Sequence, residues 1–70
     1  MSDPLQRLSE ALRARREALG RTQEAVGLEV GMSQSQYSRI EAGQVDLQFR
    51  TLDRVARALE ISLSDLLRGV

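Results

Sequence analysis

Apolar residues recur along this chain at three- and four-residue intervals, and capping side chains and glycines break the recurrence into five segments. Leu5, Leu8, Leu12 and Leu19 share one stripe at about 100° per residue, which predicts a first helix from Pro4 to Leu19. Ser2-Asp3-Pro4 opens it and Gly20 ends it. A second helix starts at a Thr22 cap, carries Gln23 in its first turn, and turns Val26 and Val30 inward with Ala25 nearby. Gly27 lies in its middle, where glycine costs about 1 kcal/mol relative to alanine, so a close neighbouring helix is expected there. Gly31 marks a left-handed end, with Met32 packed behind it.

Ser33 and Gln36 have capping-box spacing and open a third helix that closes at Gly43. Tyr37 and Ile40 face inward, whereas Gln34, Ser35, Ser38, Arg39 and Ala42 occupy the opposite face. The fourth helix is expected to be capped by Asp46 and to bury Phe49, Leu52, Val55, Ala56 and Leu59. Ser62 and Asp65 repeat the capping-box pattern before Leu63, Leu66 and Leu67 in a short fifth helix. No segment alternates with strand periodicity, and all connections are short. The expectation is one compact all-α unit spanning residues 1–70, without linker or repeat.

One position breaks this pattern. Arg16 falls within about 20° of Leu5 on the first helix, in the apolar stripe, and a lone guanidinium there is costly without a partner. A buried or half-buried carboxylate must face it.

Composition narrows the chemistry. Ten basic residues balance ten acidic ones, every basic residue is arginine, and cysteine and histidine are absent. Disulfides, thiolate or imidazole metal sites and the common nucleophile–base pairs are thereby removed, so the chain is read as a non-enzyme with no metal and no cofactor. No small-molecule site is evident. No apolar run approaches the roughly 20 residues that span a bilayer, and MSDPLQRLSE lacks the regions of a signal peptide, so a cytoplasmic location without membrane contact is expected.

The outer face of the third helix carries amides, hydroxyls and one guanidinium, where a surface helix usually carries Glu and Lys. Such groups hydrogen-bond in fixed directions, as reading the edges of DNA bases requires. The stretch from Thr22 to Gly43 is thus read as two helices about a tight turn, with the second, residues 33–42, lying in a DNA groove.

Gln23, Val26, Gly27, Gly31, Tyr37 and Ile40 have the spacing of the helix-turn-helix of the Cro and phage-repressor family, also called XRE. Leu12-Arg13 with Arg16 before Gly20, Arg39-Ile40-Glu41 before Gly43, and Leu52 to Leu59 also resemble the family pattern, which covers roughly residues 8 to 67. The resemblance implies a five-helix lambda-repressor-like DNA-binding domain whose second and third helices form the helix-turn-helix. It also implies that Glu41 is the carboxylate paired with Arg16, tying the first helix to the end of the third.

Carried over by position, the base-reading side chains are Gln34, Ser35 and Arg39, with Ser38 a fourth; Gln suits adenine, Arg suits guanine and Ser suits either. Gln23 resembles the family's phosphate clamp, the Thr22 cap is counted with it as a phosphate contact, and Gln44, Gln48 and Arg50 supply further ones. Arg13, Arg15 and Arg21 are weaker phosphate candidates, equally readable as solvated charge. The chain departs from the family where Gly27 replaces alanine, Ala42 replaces asparagine, and Val45 and Leu47 replace a basic residue and proline.

Those two loop residues, or else Leu63, Leu66, Leu67 and Val70 at the C-terminus, offer a twofold dimer surface. The reading is a sequence-specific regulator binding double-stranded DNA as a homodimer on a palindromic operator. The competing readings are an antitoxin that binds both operator and toxin, and a helical module that binds only protein, a toxin or polymerase being the partner in question.

Overall fold

A computed structural model describes residues 3–68 of the chain. Five helices follow one another: α1 (Pro4–Ala18), α2 (Gln23–Glu29), α3 (Gln34–Glu41), α4 (Phe49–Ala58) and α5 (Leu63–Leu67). No strand occurs among the described residues, and none of the described helices is long and apolar enough to cross a membrane.

The caps explain most of the boundaries. Asp3, Thr22, Ser33 and Ser62 each accept a hydrogen bond from a backbone N–H in the first turn of the helix that follows. At α3 the box is complete, because the Gln36 side chain also accepts from the Ser33 N–H at 2.9 Å. The fourth helix departs from expectation. Asp46 does not cap it; Gln48 occupies the cap position and makes no side-chain cap hydrogen bond. Leu47 and an extended Gln48 lie between Asp46 and the first residue of the helix, so its carboxylate is two positions too early to cap the first turn.

Leu8 and Leu12 of α1, Val26 and Val30 of the second segment, Tyr37 and Ile40 of α3, and Leu52, Val55 and Leu59 around α4 form one core, closed by Leu66. Two expected members are absent. Phe49 is 70 % exposed, because helix α4 begins with it and its side chain projects past the end of the core-facing stripe; Ala25 is exposed as well. Ser9 is instead buried, donating its hydroxyl to the Leu5 carbonyl at 3.0 Å. That bond removes the polar cost of putting a serine in the stripe.

The pose of α3 depends on Gly27. A Cβ at that position would lie 3.2 Å from the Met32 and Ser33 carbonyl oxygens and 3.3 Å from the Tyr37 Cβ. The intruding neighbour is therefore the turn and the start of α3, which press directly on the α2 backbone. Gly31 makes the turn at φ +78°, a conformation that glycine adopts without strain.

Candidate nucleic-acid interface

The face of α3 turned away from the core carries Gln34, Ser35 and Arg39 exposed, with Ser38 half-buried at its edge. None of these four side chains forms a hydrogen bond or ion pair with another described residue. Their donors and acceptors are therefore uncommitted, and the capped helix fixes where along it each side chain starts.

Behind that face lies the partner that Arg16 required. The Arg16 guanidinium donates to both Glu41 carboxylate oxygens, at 2.6 and 3.0 Å, and a further N–H donates to the Arg21 carbonyl at 2.7 Å. The Glu41 side chain is completely shielded and that of Arg16 nearly so. Gln23 donates its amide to the same carboxylate at 3.0 Å, and the Arg13 Nε stands 3.7 Å away. Burial opposes ionisation of Glu41, but the hydrogen bonds from Arg16 and Gln23 outweigh it and hold the carboxyl below its usual value. The bond to Glu41 raises Arg16 in turn. Burial pushes the Tyr37 phenol above its normal range, and the negative charge of the nearby Glu41 carboxylate adds to this.

One carboxylate thus joins α1, the start of α2 and the end of α3. This fixes the angle at which the outer face of α3 is presented.

The phosphate candidates divide. Gln44, Gln48 and Arg50 are exposed and free of side-chain partners among the described residues. The Thr22 hydroxyl accepts from the Ala25 N–H at 3.0 Å and so serves as the α2 cap. Gln23 is half-buried, and one amide N–H is spent on Glu41, leaving the second to reach outward.

Arg13, Arg15 and Arg21 are not simply solvated charge. Arg15 donates to the Leu59 and Glu60 carbonyls at 2.8 and 2.9 Å, and Arg21 donates to the Ala58 carbonyl at 2.8 Å while pairing with Glu29. Together they satisfy the last carbonyls of α4, where a positive charge also meets the negative helix end. Arg13 donates to the Glu41 carbonyl at 3.4 Å. Periodicity could not have found these bonds, since each Arg15 contact spans more than forty residues of sequence.

The expected dimer residues also divide. Leu66 is buried in the core and cannot serve as a surface; Leu63, Val45 and Leu47 are half-buried and packed against the core. Leu67 is exposed, and Val70 lies outside the described residues. An open groove of about 380 Å³ runs beside α3, lined by Met32, Gln36, Arg39, Ile40, the 45–48 loop and Thr51.

Comparison with known proteins agrees with this architecture. A helix-turn-helix family matches residues 12–66. Among solved structures, the clp gene regulator ClgR from C. glutamicum superposes with a TM-score of 0.91 at 27 % identity, over 94 % of this chain and 85 % of that one. No curated protein sequence matches significantly. With the family match extending from Leu12 in α1 to Leu66 in α5, the chain belongs to the XRE-type helix-turn-helix family of DNA-binding regulators.

Proposed function

We propose that this protein is a sequence-specific transcription regulator that sets α3 into the major groove of double-stranded DNA and acts as a dimer on a palindromic operator. The observation carrying this reading is the division of labour in α3. Tyr37, Ile40 and Glu41 are buried to hold the helix, while Gln34, Ser35, Ser38 and Arg39 keep their hydrogen-bonding groups free. Bidentate bonds from Gln to adenine and from Arg to guanine give discrimination, with Ser adding either contact.

Gln23, Gln44, Gln48 and Arg50 bracket this helix in sequence and set its register by phosphate contacts. The likeness to a gene regulator supports the regulatory role. Selection of genomic DNA fragments by the purified protein tests the proposal. A recurring sequence with two inverted half-sites is expected, and its loss with a Gln34→Ala, Arg39→Ala double variant. Recovery of no recurring sequence, or undiminished binding by that variant, would overturn the assignment.

A further inference from the structure

We infer that two copies of this chain associate by reciprocal insertion of Phe49 from each into the groove between α3 and the 45–48 loop of the other. The inference rests on the dimeric reading above and specifies its interface. Phe49 is the chain's one phenylalanine, and 70 % of it faces solvent at the first position of α4. An aromatic side chain left in water forfeits the large burial that makes such residues anchors in interfaces.

The groove beside it holds about 380 Å³, ample for a phenyl ring, and has apolar walls at Met32, Ile40, Val45 and Leu47. Gln48 and Thr51 of the same helix start line its near side, so Phe49 is next to the groove without occupying it. Knob and hole on one patch are what a twofold, isologous contact needs.

Charge supports the same pairing. Asp46 lines the groove and Arg50 follows Phe49, and neither is in an ion pair among the described residues. Seating Phe49 in the partner's groove carries Arg50 toward the partner's Asp46, and the symmetry makes the contact twice; the five N–H donors of a guanidinium leave Arg50 able to meet a phosphate as well. Leu28 and Leu67, the other exposed large apolar residues among those described, do not line this groove, and Arg68 beside Leu67 is already paired with Asp65. Arg39 lies on the groove rim, so the interface adjoins the base-reading face.

Two phenylalanine side chains bury about 150–250 Å² each, well short of the roughly 1,200 Å² of a standard stable interface. The dimer is accordingly weak in solution and gains from the high local concentration that adjacent half-sites impose.

Sedimentation equilibrium of the full chain without DNA tests the interface, alongside binding to a duplex carrying one half of a sequence selected from genomic fragments. The wild type is expected to dimerise with concentration, and Phe49→Ser to raise the dimer dissociation constant by about tenfold or more. Asp46→Arg and Arg50→Asp should each weaken dimerisation, and the double swap should restore it to within about threefold of wild type. Affinity for the single half-site should be unchanged in Phe49→Ser, with helical circular dichroism confirming its fold.

A wild type that stays monomeric, a Phe49→Ser protein that dimerises normally, or a double swap without rescue would each overturn the interface. Loss of half-site binding in Phe49→Ser from a monomeric wild type would reassign Phe49 to DNA. Dimerisation as expected without any selected DNA would sustain the interface while removing the operator reading.

Discussion

Replacing Glu41 with alanine removes the acceptor for two Arg16 bonds and one Gln23 bond at once, and leaves a nearly buried guanidinium facing a void. Breaking a buried pair from one side costs about 3–5 kcal/mol, because the orphaned charge keeps its desolvation penalty. A chain of 70 residues has roughly 4–10 kcal/mol of stability to lose. Glu41→Ala should therefore be partly unfolded or close to it at ambient temperature. Urea unfolding followed by circular dichroism measures this: with a slope near 1 kcal/mol per molar, the midpoint should fall by about 3 M or vanish.

A double variant, Arg16→Met with Glu41→Leu, separates charge from shape. It should recover most of the loss, since apolar replacement of a whole buried pair is often neutral or better. The pH dependence follows from the lowered Glu41 carboxyl. A group depressed in the folded state contributes fully above its unfolded value, about 4.3, and the contribution disappears as pH falls through the lower folded value. The acid limb of the wild-type stability curve should be correspondingly flatter in the double variant. Glu41→Ala within about 1 kcal/mol of wild type, or a double variant as unstable as the single, would refute the reasoning.

Three further expectations test other parts of the fold and interface. Glu60 holds a left-handed backbone at φ 56°, where glycine ends α1 and α3, so Glu60→Gly should raise stability modestly, by about 0.5–1 kcal/mol in thermal unfolding. Arg21→Ala should cost about 1–2 kcal/mol in the same measurement, because the Ala58 carbonyl loses its charged donor. Gln34→Ala and Arg39→Ala should leave the melting temperature unchanged. Each should lower affinity for the selected operator by about tenfold or more and relax preference at one base pair, measured by titration against point-substituted duplexes.

Helix positions were readable wherever the signal was local. The Ser33–Gln36 box, the Thr22 cap and the glycine at the α2 exit depend on residues within a turn of one another, and each has its expected role; at Ser62 the cap bond forms, but the box does not close because the Asp65 carboxylate accepts from Arg68 instead. The stripe position of Arg16 announced a buried partner, and the family likeness supplied Glu41. Local signals failed around α4. Asp46 has the chemistry of a cap but sits two residues too early, and Phe49 has the chemistry of a core residue but falls before the stripe engages. By spacing Phe49 still lies within about 20° of buried Ala56, so the missing information is where the core ends along the axis of α4, which periodicity does not give.

The arginines show why net charge misleads here. Ten acidic residues cancel ten arginines, which on paper disfavours a polyanion partner. In the structure Arg13, Arg15, Arg16 and Arg21 bind internal carbonyls and carboxylates, and Arg57 and Arg68 pair with Asp53 and Asp65. Arg7, Arg39, Arg50 and Arg54 are left without a partner among the described residues. Two of these, Arg39 and Arg50, belong to the proposed DNA face, whereas Arg13, Arg15 and Arg21, which sequence offered as weaker phosphate contacts, bond to the end of α3 and to the end of α4. With so few free cations, the expectation is little counterion release and weak non-specific binding, read as a shallow salt dependence of affinity. Under the proposed reading, discrimination between operators would depend on the directed groups of α3, and the pose of that helix depends on the Glu41 junction behind them.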